Sequence, residues 1–304
     1  MINTTFSKQV LVIGRSGQVA RSLAACAWPG AEIVCIGREA VDLTQLSSLE
    51  VALERHKPWV VINAAAYTAV DRAEQEPEVA FAVNRDGPAQ LARLCAEADL
   101  PLIHFSTDYV FDGAGEQSYR ESDPVGPLGV YGASKLAGEE AVRSTCPKHV
   151  ILRTSWVYSP YGTNFMKTML RLAKSESSLS VVNDQWGCPT YAPDIAEATV
   201  YLVQRFLDGE VASDTYHMAG RDAVSWFSFA EGIFAVAAER GRRVPTVTGI
   251  STEDYPTSAM RPKNSRLDCS RLDAVFGLQL PGWRSGVERC LDTLDVLDKE
   301  GVDG

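Results

Sequence analysis

Short β-branched runs alternate with longer segments of helical periodicity through the first half of the chain. The runs are Gln9–Ile13, Glu32–Ile36, Trp59–Asn63, Leu102–Ser106 and Val150–Arg153. Between them lie Gln18–Ala27, Leu46–His56, Glu78–Ala98 and Gly132–Ser144, which read as helices. In the third of these, Val79, Val83, Leu91 and Leu94 include pairs three and four residues apart, as one side of a helix requires. Gly87-Pro88 falls inside that segment and predicts a kink or a split, because proline lacks an N–H and crowds the preceding turn. Asp42-Leu43-Thr44 gives Leu46–His56 a polar entry. Strands alternating with helices of this length predict βαβ units, and so an α/β fold with a doubly wound parallel sheet.

The pattern loosens after about Thr154. Ser159-Pro160-Tyr161-Gly162, Trp186-Gly187-Cys188-Pro189, Pro245, Pro256 and Pro262 punctuate it. Helical segments recur at Asn164–Lys174, Asp194–Phe206, Trp226–Arg240 and near Trp283–Leu297. The expected organisation is a first domain over residues 1–154 and a smaller C-terminal lobe over 155–304, partly interleaved with it.

Charge and cysteine usage narrow the classes. Twenty-nine basic against 39 acidic residues leave −10 at pH 7. A nucleic-acid binder needs a basic face, and so does a surface that docks on anionic membranes. Neither partner is expected. A small anionic ligand stays compatible, because a pocket can be positive on an acidic protein. The seven cysteines include no CxxC pair, so no metal or redox motif is read, and a reduced, cytoplasmic protein is expected. No apolar run reaches the roughly 18–20 residues of a spanning helix, and the start has no secretory pattern.

The first run leads into Gly14-Arg15-Ser16-Gly17-Gln18-Val19-Ala20 and then a helix. Gly14 permits a tight turn, Gly17 lets a phosphate approach the backbone, and Ala20 is small enough for close helix–sheet packing. This is the arrangement that sets a pyrophosphate on helix N-terminal N–H groups. The second run ends Ile36-Gly37-Arg38, without the acid that usually holds a ribose 2′-hydroxyl. Arg38 facing a 2′-phosphate favours NADPH over NADH; a solvated surface arginine is the plainer reading. Asp42 meets either the adenine or the helix start behind it. Asn63-Ala64-Ala65-Ala66-Tyr67 ends the third run, where small side chains let a flat cofactor lie against the backbone. Asn84, in a helical stretch, either bridges backbone groups or is simply exposed.

The fourth run ends Ser106-Thr107-Asp108-Tyr109, and Tyr131 and Lys135 follow four residues apart at a helix start. That spacing puts phenol and ammonium on one face. A neighbouring cation stabilises phenolate and brings a tyrosine nearer to proton transfer at neutral pH. Thr107 is placed to hydrogen-bond the same substrate oxygen. Together they form a proton-relay site for carbonyl reduction or alcohol oxidation.

At this point the sequence resembles the extended, sugar-nucleotide branch of the short-chain dehydrogenase/reductase superfamily, most closely its dTDP-4-dehydrorhamnose reductase family. The resemblance rests on Gly14–Val19, on 41–44 and on 63–71. It continues through 106–113, 131–135, 153–158, 164–165 and 184–190, and ends at 261–265, in the family's order. It implies a Rossmann domain and NADPH- or NADH-dependent reduction of the C4 keto group of a dTDP-sugar, dTDP-4-dehydro-L-rhamnose, for polysaccharide precursors. Tyr131 would be the general acid, Lys135 would hold the nicotinamide ribose, and Thr107 would bind the reacting oxygen. The cofactor would lie on Gly14, Gly17, Gln18, Val19, Arg38, Asp42, Leu43, Ala65, Ala66, Tyr67, Thr68, Tyr131 and Lys135. Thr107, Asp108, Trp156, Asn164, Gln185 and Arg261 would line the substrate side. Trp156 would be an apolar wall, or else a core aromatic. Arg261 would clamp diphosphate, or else brace a loop by an ion pair.

Some positions depart from the family pattern. Ala20 stands where the glycine motif usually ends in Gly, a mild change. Arg21 and Ser22 stand where metal-bridged dimers carry an acid, so no metal is expected, and a homodimer is left open. Thr107 is followed by Asp108-Tyr109 rather than Asp-Glu, which disfavours a sugar-nucleotide dehydratase. Two alternatives remain: a reductase of another dTDP-4-keto-6-deoxy sugar, and a non-catalytic regulatory subunit of the methionine adenosyltransferase type. Positive potential is expected only in the cleft, around the Gly14–Val19 turn, Lys135 and Arg261.

Overall fold

A computed structural model describes residues 8–209 and 212–300. Five parallel strands, β1 Lys8–Ile13, β2 Ala31–Ile36, β3 Val60–Asn63, β4 Leu102–Thr107 and β5 His149–Thr154, match the predicted runs to within a residue at either end. A sixth strand, Asp214–His217, joins beside β5, so the order is 214–217, β5, β4, β3, β1, β2. All five pairings are parallel. The chain leaves β1 toward β2 on one side and returns to β3 on the other. This makes the β1/β3 gap the topological switch point, where such sheets bind ligands.

The sheet is buried on both faces, as its unbroken apolar runs require. Val10 and Val12 face one core with Leu23, Ile195, Leu202 and Phe276, and Leu11 and Ile13 face another with Leu49, Leu91 and Val142. Residues past Thr154 therefore close one face: the helices Ala192–Leu207 and Ser270–Phe276 both pack on it. A third core, around Met166, Phe229, Ile233, Val287 and Leu291, belongs to the second half alone. There Ser178–Val182 pairs in parallel with Thr246–Ile250.

The segment read as a helix over Glu78–Ala98 runs as Pro77–Phe81, a π-helical turn at Ala82–Asp86, and Gly87–Glu97. The irregularity lies just before Gly87-Pro88. The Gly87 N–H reaches back five residues to the Ala82 carbonyl, and the widened turn lets the helix continue through the proline. Asn84 sits in this turn and is buried. Its side chain accepts from the Tyr67 N–H at 2.8 Å and donates to the Tyr67 carbonyl at 3.0 Å, which makes it a bridge between backbone groups.

No described helix is long and apolar enough to cross a membrane. Among the described residues, no group of three or more His, Cys, Asp or Glu side chains is placed to hold a metal ion.

Candidate active site

The ends of all five strands β1 to β5 open onto one cleft of about 810 Å3. At its floor, Gly14 has φ +125° and its N–H donates to the Ile36 carbonyl at 2.8 Å. A Cβ on Gly14 would sit 3.2–3.3 Å from the backbone of Ala64 and Ala65, so the turn presses β1 against β3. Gly17 caps the helix Gln18–Ala25, and nothing lies within 4 Å of where its Cβ would be. The helix N-terminus therefore faces open space, with its N–H groups available to an anion. Ala20, fully buried, seats the helix on the sheet.

Every residue expected to hold the cofactor lines this cleft, and so do Thr107, Asp108 and Trp156. Arg38 is largely exposed at the rim and pairs with Asp42 at 3.2 Å. Asp42 also accepts from the Thr44 N–H at 2.9 Å, which holds its carboxyl below the usual range. Arg15, which sequence reasoning passed over, also lines the cleft and pairs with Glu39 at 2.7 Å. The two rim cations are thus each held in an ion pair.

Tyr131 and Lys135 rise from the helix Val130–Thr145 beside the end of β4. Burial pushes the Tyr131 hydroxyl up to about 12, while its hydrogen bond to Thr107 pulls the other way. The Lys135 ammonium is buried and brought down to about 8, because an ion is costly in an apolar interior. Its Nζ donates to the Phe105 carbonyl at 2.6 Å. Thr107 Oγ1 donates to Asp108 Oδ1 at 3.0 Å, and Ser155 Oγ donates to Asp108 Oδ2 at 3.0 Å. Asp108 is buried and its carboxyl is raised to about 6. Both of its oxygens are thus engaged, one by Thr107 and one by Ser155.

Trp156 follows β5 with φ +47°, a conformation a bulky side chain adopts only under constraint. Its ring stacks on Trp226, and Gly187 lies against the indole, where a Cβ would come within 2.3 Å of it.

Three expected residues stand apart. Asn164 caps the helix Phe165–Leu172, accepting from the Lys167 N–H at 3.0 Å. It also donates to Gln18 Oε1 at 2.9 Å, tying the 159–164 loop to the first helix. Gln185 is buried and bonded to Thr252 Oγ1 at 3.1 Å. Arg261 lines a neighbouring groove of about 650 Å3 with Trp186, Tyr255 and Lys263. Its guanidinium forks onto Asp71 at 2.7 and 3.1 Å.

Two hydroxyls that the sequence reading did not single out, Ser106 Oγ and Thr154 Oγ1, also belong to the cleft lining and are buried without a hydrogen-bond partner. Buried polar groups are seldom left so, and both hydroxyls suit a polar group of a ligand in the cleft.

A dinucleotide-binding turn beside a buried Thr–Tyr–Lys set is the apparatus of the short-chain dehydrogenase/reductases, which pass hydride between a nicotinamide and a carbonyl or alcohol carbon. The chain belongs to the RmlD substrate binding domain family, whose profile matches residues 8–296. It is 48% identical to a dTDP-4-dehydrorhamnose reductase of Sinorhizobium fredii, over 96% of this chain and 99% of that one. It is 42% identical to the same enzyme of Aggregatibacter actinomycetemcomitans, over 92% and 97%. Among solved structures, the dTDP-4-dehydrorhamnose reductase of Bacillus anthracis in complex with NADP superposes with a TM-score of 0.88. It is 35% identical and covers 95% of this chain and 100% of its own.

Proposed function

We propose that the protein reduces the C4 keto group of dTDP-4-dehydro-L-rhamnose to give dTDP-L-rhamnose, with NADPH or NADH as hydride donor. The observation that carries the reading is the convergence of Thr107, Tyr131 and Lys135 on the cleft that starts at the Gly14 turn. The near full-length likeness to dTDP-4-dehydrorhamnose reductases supports the choice of substrate.

The residues present suit a dinucleotide. Gly14 and Gly17 leave a cradle that side chains would fill, and Ser106 and Thr154 offer hydroxyls that lack partners. Gly14, Gly17, Gln18 and Val19 would hold its pyrophosphate. Leu43, Ala65, Ala66, Tyr67 and Thr68 would flank the adenosine side, and Lys135 the nicotinamide ribose. A nicotinamide cofactor held there would supply the hydride for C4. Thr107, once its hydroxyl proton turns from Asp108 to the ligand, positions the substrate oxygen. Tyr131 enters protonated, because burial holds its hydroxyl far above neutral pH, and it gives that proton to the oxygen as charge develops there. Lys135 steadies the phenolate left behind until solvent restores the proton. Trp156 forms the wall against the sugar, and Arg38 and Arg15 attract the 2′-phosphate of NADPH.

In this reading residues 1–154 carry the cofactor and 155–304 the sugar, with the strand 214–217 lent back to the first domain. The test is product analysis: the reduced sugar nucleotide should have rhamno configuration at C4. The C4 epimer as sole product would assign the enzyme to a sister reductase.

A further inference from the structure

His104 lies in the middle of β4, inside the apolar run Leu102–Phe105, and is fully buried. No step described above uses it. Its ring nitrogens face two different groups: Nδ1 is 3.1 Å from Asn63 Nδ2 on β3, and Nε2 is 3.4 Å from Lys135 Nζ. Which nitrogen carries the proton follows from the hydrogen bond behind them. The Ala65 backbone N–H donates to Asn63 Oδ1 at 3.2 Å. This fixes the amide oxygen at that end and turns the NH2 toward the ring. An NH2 only donates, so Nδ1 must accept and the proton of the neutral ring sits on Nε2. An N–H then points at Lys135. An amine has a lone pair to meet it, and an ammonium has none.

The other groups around Lys135 do not undo this. Tyr131 and Glu139 lie one turn before and after it on its own helix. The Glu139 carboxylate is already taken by Arg153 of β5, at 2.9 and 2.7 Å. From β4 come the Phe105 carbonyl and, past the strand end, Asp108, whose oxygens are bonded to Thr107 and Ser155. β3 contributes only the neutral Asn63. His104 is held neutral by its burial and by Lys135 itself.

We infer that Asn63 and His104 form a tautomer lock behind Lys135: Asn63 fixes the proton on His104 Nε2, and His104 then presents Lys135 with a donor rather than an acceptor. Asn63 and His104 are positioning residues. They favour the amine form of Lys135 and leave the ammonium form to be drawn out when anionic ligands enter the cleft. The inference rests on the reading of Lys135 as the group that tunes Tyr131.

The test is NMR on the labelled, cofactor-free protein. The chain has four histidines, so single replacements of His56, His149 and His217 assign the His104 ring by exclusion and leave the site intact. Long-range imidazole spectra should show the His104 proton on Nε2, unchanged from pH 6 to 8. A proton on Nδ1 would overturn the lock. Asn63→Asp offers an acceptor in place of the NH2, and should move the proton to Nδ1. The titration midpoint of Lys135, followed at its Cε, should then rise by about one unit, with the alkaline limb of kcat moving alongside. A flipped ring with an unmoved lysine midpoint would contradict the link to Lys135. The spectra decide the lock even if the wild-type protein fails to turn over the keto sugar, an outcome that would instead remove the proposed reaction.

Discussion

Trp156 lies flat against Trp226, with ring centroids 3.4 Å apart and planes 4° from parallel. The pair joins the strained residue after β5 to the aromatic core of the second half, where Phe165 and Phe229 continue the stack. The proposed sugar wall is therefore fixed by the core of the second half of the chain.

Gly187→Ala should break this arrangement, because the added methyl would meet the Trp156 indole at 2.3 Å. We expect KM for the keto sugar to rise about tenfold, the worth of an aromatic contact of about 1–1.5 kcal/mol, with NADPH affinity unchanged. Steady-state kinetics and a cofactor titration check it; equal losses on both ligands would place Trp156 outside the sugar site.

Tyr131→Phe removes the proton donor and leaves the ring in place. Turnover should fall by about 10²–10⁴-fold, the usual worth of a positioned acid, while NADPH binding persists. Retained turnover would remove Tyr131 from the chemistry.

Stability should follow two opposed pH windows. Asp108 is raised to about 6 when folded, so between about pH 4 and 6 the folded state holds a proton that the unfolded chain has lost, and stability falls as pH rises. Lys135 is lowered to about 8. Between about pH 8 and 10 it is the unfolded chain that holds the extra proton, and stability rises with pH. Lys135→Met should abolish the upper window and raise Tm at pH 7 by about 2–4 °C, the size of about 1 kcal/mol in a domain this large. Calorimetry across pH 4–10 reads both. A lower Tm for the methionine variant would show that the buried amine is stabilising.

Arg38→Ala should cost NADPH more than NADH. Loss of an exposed charge that faces a phosphate is worth about 1 kcal/mol, or roughly fivefold in relative kcat/KM. An unchanged ratio would mean that the Arg38–Asp42 pair is only a surface contact, and would turn attention to Arg15.

Much of this site was legible in the sequence, for identifiable reasons. Strand runs ending in Gly14, Ala64–Tyr67 and Thr107 announce themselves locally, and the parallel order of the strands then brings those ends together. Asn164 and Gln185 have the right chemistry for a substrate pocket, but whether an amide faces a ligand or caps a helix depends on packing that no spacing encodes. Arg261 is bound up with Asp71, 190 residues away along the chain. His104 was missed because a histidine inside an apolar strand reads as core, and only the fold sets it between Asn63 and Lys135. Ser178–Val182 and Thr246–Ile250 form a two-stranded sheet between distant segments, a pairing that no local pattern announces.

The central claim is reduction of a dTDP-4-keto sugar on the Thr107–Tyr131–Lys135 cleft. It is tested most directly by generating dTDP-4-dehydrorhamnose in situ and following the loss of reduced-nicotinamide absorbance, with NADPH and NADH run in parallel. We expect oxidation that depends on the keto sugar, is faster with NADPH, and disappears in Tyr131→Phe. No oxidation of either cofactor by the wild-type protein would contradict the account.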